Sequence, residues 1–346
     1  MLKIFNEFRS ILDNVMLKAF GHRIVLWGYG YTGRFLEWYA EYYHGLKVDF
    51  IITEDWSTGV PYNFPLFKDS LFDFDYMDVK NSFVWLAIPT TEEVKKKLLK
   101  AGYIKNQTYF DFLENVFGKD YICEDSHVDN IFQRTKTGVR DIQFMEWLEY
   151  KYKCNFVTAI NSSEFVSGIK GASSYRISTQ KEIFPILDKC HCIPQKNDAI
   201  FDFGCGKGGA MISFLDYGFH RVGGVEFEKG IYDVMVSNFH KLNISGENIE
   251  CIHGDASKIE NKLDNYNWFY YFDPFSGDIF KQTIIHICES IQRKPRKVHI
   301  ININPKFHGI IKDSGFFVLN NQFCVAVRQK VVDVFVTKKE YEGSEK

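Results

Sequence analysis

Two segments of this chain share one grammar: an apolar run, a turn crowded with glycine, a helix-forming stretch, then a second apolar run ending in acid. The first is RIVLWGYGYTGRFLEWYAEYYHGLKVDFIITED, residues 23–55; the second is DAIFDFGCGKGGAMISFLDYGFHRVGGVEFEKG, residues 198–230. Short continuous apolar runs bounded by glycine read as strands buried on both faces, as in parallel sheets. Parallel strands need crossover helices, so each segment predicts the opening strand–helix–strand unit of an open α/β sheet. At 346 residues there is room for two such domains. The polar, aperiodic stretch at 119–140 suits a boundary. This predicts an N-terminal domain at 1–118, a linker at 119–140 and a C-terminal domain at 141–346.

The second segment carries the stronger chemistry. Asp202 lies near the end of its first strand (199–203), and Gly204, Gly206, Gly208 and Gly209 follow. Such a turn visits positive φ and lets backbone approach a ligand without a Cβ in the way. The next strand, 221–225, is closed by Glu226, where a carboxylate can accept hydrogen bonds from both ribose hydroxyls of an adenosine ligand. Three more strands are predicted: 248–253 ending in Gly254, Asp255 and Ala256; 268–272 ending in Asp273, Pro274 and Phe275; and 298–303 ending in Asn304 and Pro305. Runs at 316–319 and 331–337 read as a terminal β-hairpin. No repeat at solenoid periods is present.

This order of motifs resembles the class I S-adenosylmethionine-dependent methyltransferases over residues 170–340. The resemblance implies a seven-stranded α/β sheet ending in that hairpin, with S-adenosylmethionine as cofactor. It also implies that Asp202 and the turn at Gly204 and Gly206 hold the methionine part, that Glu226 binds the ribose, and that Asp255 with Ala256 contacts the adenine. Tyr175 stands where many relatives cover the cofactor; a bland alternative is that Ser178 or Thr179 simply caps the helix predicted at 180–190. The small, polar stretch at 161–174 reads either as a substrate-closing segment or as a solvated loop. A dinucleotide site would want G-x-G-x-x-G, whereas the glycines here run G-C-G-K-G-G.

Methyl transfer is an in-line displacement in which alignment is the main task. The elements Asp273 and Phe275 are the catalytic candidates, because amino-methylating enzymes place an Asp/Asn-Pro-Pro-aromatic turn there; this chain has one proline instead of two. A hydroxyl acceptor would need a base. His253, His299 and His308 lie in or just after strands, with His308 the best placed.

The first domain reads G-x-G-x-x-G from Gly28 through Gly30 to Gly33, after a strand at 23–27. Strands at 48–52 and 83–88 follow, and Glu54 closes the former. Gly28, Gly30, Gly33 and Glu54 are therefore ligand candidates. The region resembles the small Rossmann-like domains attached to surface-sugar-modifying transferases, which implies either a nucleotide-sugar site or a structural, homo-oligomerising or acceptor-docking role.

A net charge of -2 disfavours nucleic acid and anionic lipid as partners. The basic run at 293–297 enters a strand, at the edge opposite an α/β ligand crevice, and Lys95, Lys96, Lys97 and Lys100 read as a solvated helix face. No stretch is long and apolar enough to span a bilayer. Eight sparse cysteines without paired spacing predict reduced thiols in a cytoplasmic protein and no metal. Aromatics make up 17% of the chain; most fall on predicted strands and helices and read as core. Tyr175, Phe275, Tyr29 and Tyr31 remain as candidate functional rings. The expectation is a methyltransferase acting on a small or glycan acceptor in cell-surface polysaccharide biosynthesis. The alternative is an amino-group methyltransferase for protein or nucleic acid.

Overall fold

A computed structural model describes residues 3–53, 66–67, 77–88, 92–118, 143–166, 173–325 and 330–343. Glu54 and the stretch expected as linker, 119–140, lie outside the described residues, as does the side chain of Tyr31. The chain divides into two compact units, Lys3–Lys151 and, apart from its first two residues, Tyr152–Lys346.

The first unit comprises α1 (Asn6–Ala19), β1 (Arg23–Trp27), α2 (Tyr31–His44), β2 (Phe50–Ile52), β3 (Leu66–Phe67), β4 (Ser82–Leu86), α3 (Glu92–Lys100), β5 (Tyr109–Asp111), α4 (Phe112–Phe117) and α5 (Gln143–Tyr152). Its five strands pair in the order β3-β2-β1-β4-β5, all parallel. The expected division after residue 140 is displaced, and the reason is aromatic packing. Phe144 of α5 lies 5.1 Å from Phe5 and 4.5 Å from Phe8, ring to ring, and Trp147 packs on Phe8 at 5.6 Å. Burying those rings ties α5 to the first unit's core rather than to the second's. Gly28 and Gly33 are packing glycines: a Cβ on Gly33 would stand 2.0 Å from the Gly28 carbonyl oxygen, and one on Gly28 would stand 2.3 Å from Ile88. A Cβ on Gly30 would meet nothing within 4 Å, so packing does not require that glycine. The lysine run on α3 is not uniformly solvated. Lys95 reaches the buried Asp111 at 3.0 Å and Glu114 at 3.1 Å.

The second unit comprises α6 (Gln180–Lys189), β6 (Ala199–Phe203), α7 (Gly209–Tyr217), β7 (Arg221–Glu226), α8 (Lys229–Lys241), β8 (Ile249–His253), β9 (Trp268–Phe272), α9 (Gly277–Arg293), β10 (His299–Ile303), α10 (His308–Asp313), β11 (Phe317–Val325) and β12 (Lys330–Thr337). Its seven strands run β11-β12-β10-β9-β6-β7-β8. Only β12 and β11 are antiparallel to their neighbours, and they form the expected terminal hairpin. Parallel β6 is flanked by β7 on one side and β9 on the other. Chain order therefore reverses at β6, and ligands of open α/β sheets bind at such a switch point, beyond the strands' carboxyl ends. One face of the sheet is floored by Phe201, Phe203, Phe269 and Tyr271, with Phe203 stacked on Tyr271 at 4.5 Å. Among the described residues no helix is long and apolar enough to cross a membrane.

Candidate active site

Beyond the carboxyl ends of β6, β7, β8 and β9 lies a cavity of about 280 Å³. It gathers Asp202, Gly204, Gly206, Glu226, Asp255 and Ala256 with Tyr175, Asp273 and Phe275. These nine sequence-predicted residues line one space, though they come from five places in the sequence.

The glycine turn makes that space. Gly204 and Gly206 both adopt positive φ, +82° and +56°. A Cβ on Gly204 would stand 2.6 Å from Pro274, and one on Gly206 would stand 2.4 Å from the Tyr175 ring. The turn is a cradle that side chains would fill. Glu226 is held beside it: its Oε2 accepts from Gly206 N at 3.0 Å and its Oε1 from Glu228 N at 2.8 Å. Burial raises the proton affinity of Glu226, against the backbone hydrogen bonds that favour its charged form. Asp202 is 4% exposed, and burial together with the nearby Glu226 charge pushes its carboxyl up to about 8. Two carboxylates sharing one buried space suit a ligand with positive charge and hydroxyl donors. A sulfonium with an amino-acid ammonium and a ribose is such a ligand, so these residues fit S-adenosylmethionine.

Asp255 caps the short turn Ala256–Lys258 by accepting from Ser257 N at 2.9 Å and from Ser257 Oγ at 2.7 Å. Partial burial raises its proton affinity, but the Ser257 bonds outweigh it and hold the carboxyl below its usual range. Tyr175 is a roof, not merely a neighbour of a cap. Its ring abuts Gly206, and its hydroxyl donates to Phe156 O at 2.6 Å. The capping is done by Thr179 in a reciprocal box with Glu182.

At the other end Asp273 follows β9 with φ +47°, rare for a residue with a side chain. Its Oδ2 is held by Lys306 Nζ at 2.6 Å and Asn304 Nδ2 at 3.0 Å. Ser173 Oγ donates to Asp273 O at 2.7 Å, and Ser173 N donates to Pro274 O at 3.2 Å. Apolar walls come from Phe165, Phe272, Phe275 and Ile279, and Lys330 Nζ lies 4.0 Å from the Phe272 ring centroid.

The three histidines are not brought to the cavity. His308 Nδ1 sits 2.6 Å from Asp333 Oδ2, and the buried Asp333 also accepts from Gln322 Nε2 at 2.7 Å. This pairing holds His308 at the head of α10, outside the cavity lining. His299 stacks on Trp268 at 3.9 Å, and burial lowers it to about 4. His253 faces Phe227 O at 3.1 Å. The basic run is also accounted for. Arg293 pairs with Asp264 at 2.7 Å, and Arg296 donates to the carbonyls of Leu263, Tyr266 and Lys294.

Sequence reasoning missed Phe165, Arg176, Ile279, Lys306 and Lys330. Each reaches the site through chain closure, and no local motif marks them. In the first unit Tyr29 is buried and donates to Glu37 at 2.6 Å, so its ring is packing and not a ligand platform.

The strand order and terminal hairpin of the second unit are those of the class I methyltransferase fold. No protein-family model matches the sequence, and no curated protein does. Solved structures similar to the chain include a TehB-like SAM-dependent methyltransferase from Corynebacterium glutamicum. That match is 15% identical, covers 47% of this chain and 90% of that one, and has a TM-score of 0.35. A ribosomal protein L11 methylase from Lactobacillus delbrueckii subsp. bulgaricus is similar at 11% identity, over 45% of this chain and 76% of that one, also with a TM-score of 0.35.

Proposed function

We propose that the second unit is an S-adenosylmethionine-dependent methyltransferase. The observation that carries this reading is the pair of carboxylates, the buried Asp202 and the half-buried Glu226, set around a positive-φ glycine cradle at the sheet's switch point. Glu226 has its carboxylate fixed by backbone donors and would accept from the ribose hydroxyls; Asp202 would face the cationic methionine end; Asp255 and Ala256 would meet the adenine. When bound, the cofactor supplies a methyl group already activated for displacement by its positive sulfur. The protein's part is then to align a nucleophile and exclude water. Phe165, Phe272 and Phe275 give the acceptor end dry walls, and Asp273 is the polar group there that would orient an acceptor.

We read the acceptor as a small molecule, a sugar or glycan intermediate of cell-surface polysaccharide synthesis. The near-neutral charge of the chain supports a small acceptor over nucleic acid. The glycan assignment rests on the resemblance of the first unit to domains of sugar-modifying transferases. Titration calorimetry with S-adenosylhomocysteine tests the cofactor reading, and no binding at millimolar ligand sinks it. Incubation with methyl-labelled S-adenosylmethionine and nucleotide-sugars, peptides or DNA tests the acceptor. Label in peptide or DNA alone would overturn the sugar reading.

A further inference from the structure

Lys207 belongs to the glycine turn, yet its side chain is only 1% exposed. Lysine is almost never that buried unless its ammonium is engaged. Here Nζ donates to Asn155 Oδ1 at 2.8 Å and to Thr158 O at 2.9 Å, and it lies 5.3 Å from the centroid of the Tyr175 ring. The stretch it grips is sewn to the turn a second time by the wholly buried Asn238. Asn238 Nδ2 donates to Asn155 O at 3.1 Å and to Lys207 O at 3.2 Å, while its Oδ1 accepts from Asn155 N at 2.7 Å. That same stretch supplies Phe156 O, the acceptor for the Tyr175 hydroxyl. The backbone of Tyr175 is in turn bridged to Ile160, with N···O distances of 2.8 and 3.3 Å. The roof over Gly206 is therefore tied down through residues 155–160, and Lys207 is the charged end of the tie.

We propose that Lys207 is a positioning residue for the cofactor, acting through Asn155, Thr158 and the face of Tyr175 to hold the Tyr175 roof against the glycine turn. This rests on the reading that the cavity takes S-adenosylmethionine. A cation in this position does two things a neutral residue cannot. It makes charge-assisted bonds to the 155–158 stretch, and it attracts the electron-rich face of the Tyr175 ring. The roof is thereby built before any ligand arrives, which lowers the ordering cost of binding.

The test compares full-length wild type, Lys207→Met, Tyr175→Phe and the double variant by S-adenosylhomocysteine titration, with ligand dissociation rates by stopped flow. Lys207→Met is expected to weaken binding about tenfold or more, mainly through faster dissociation. If Lys207 acts through Tyr175, the double variant will lose less than the product of the two single losses. A role confined to general folding would lower Tm and leave the affinity of the folded fraction unchanged, and that result overturns the proposal, as does a fully multiplicative double variant. If Lys207→Met does not fold, Asn155→Ala removes one acceptor from an exposed residue. It should still speed dissociation, and an unchanged rate overturns the proposal. Wild type that binds no ligand would refute the cofactor reading itself; wild type that binds while Lys207→Met binds equally well refutes only the role of Lys207.

Discussion

At the scale of single residues the site turns on two carboxyls whose surroundings differ. Glu226 receives backbone N–H donors on both oxygens, so its geometry is fixed before any ligand arrives. Replacing it with Ala should weaken S-adenosylhomocysteine binding by about 1–3 kcal/mol, the cost of losing hydrogen bonds to a charged acceptor. Calorimetry reads this directly, and an unchanged affinity removes Glu226 from the site. Asp202 sits in a low-dielectric space beside a like charge, and its carboxyl is pushed up to about 8. In the unfolded chain it would titrate near 4. Between those values the folded state binds more protons than the unfolded one, so stability of the unliganded protein falls as pH rises through that window. His299 has the opposite sign: lowered to about 4, it makes stability fall as pH drops below its ordinary range near 6.5. Above pH 6.5 the carboxyl effect stands apart from the histidine's. Thermal melts between pH 6.5 and 8 should therefore show Tm falling in the wild type and a flatter line in Asp202→Asn. Parallel lines would mean Asp202 is charged throughout.

At the scale of elements, the strands were legible where a short run of mostly apolar residues is bounded by glycine or a polar turn. β1, β6 and β9 stand where their residues predict, because burial on both faces of a parallel sheet favours near-continuous apolar runs, broken in β6 only by the site residue Asp202. β3 and β5, two and three residues long, carry too little pattern to be read. The glycine turn was legible for the same reason the site exists: backbone at positive φ needs glycine. What stayed hidden is how the segment from 155 to 176 is held in place, although Tyr175 itself is marked in the sequence as a cofactor cover. Its roles come from tertiary closure, Tyr175 on Gly206 and Ser173 on Asp273 and Pro274, and nothing in its own composition announces either partner. The pairing of His308 with Asp333 was hidden likewise, since it joins α10 to the middle of β12. Roof and turn can be tested against each other. Gly206→Ala puts a Cβ 2.4 Å from the Tyr175 ring. It should cost about 1–3 kcal/mol of stability from backbone strain alone, and it should weaken cofactor binding by pushing the roof away. Adding Tyr175→Ala relieves the clash but not the strain, so a partial recovery of Tm in the double variant is expected by scanning calorimetry. No recovery would mean the ring does not rest on the turn.

At the scale of the whole molecule, two α/β units with one grammar differ in what their glycine turns are for. In the second unit the turn opens a cavity lined by acids from successive strand ends. In the first, Gly28 and Gly33 are used up by contact between backbone, Leu26 and Ile88, and the buried Tyr29 packs within the unit and bonds Glu37. A shared motif therefore does not imply a shared ligand: whether a G-x-G turn binds depends on whether its space is already filled. Hydrogen exchange on the intact chain can separate the two units. Saturating S-adenosylhomocysteine at about a hundred times its Kd adds about 2.7 kcal/mol to whatever it binds. That gain should appear as slowed exchange in β6, β7 and residues 173–176, whose amides surround the cavity. The slowest amides of β1 and β4 should keep their rates, because their unit offers this ligand no acid-lined cradle among its described residues. Equal protection in β1 and β4 would mean that the first unit answers the same ligand. Protection there only with a nucleotide-sugar would instead give its glycine turn a binding role and bring the acceptor question back to the N-terminal unit.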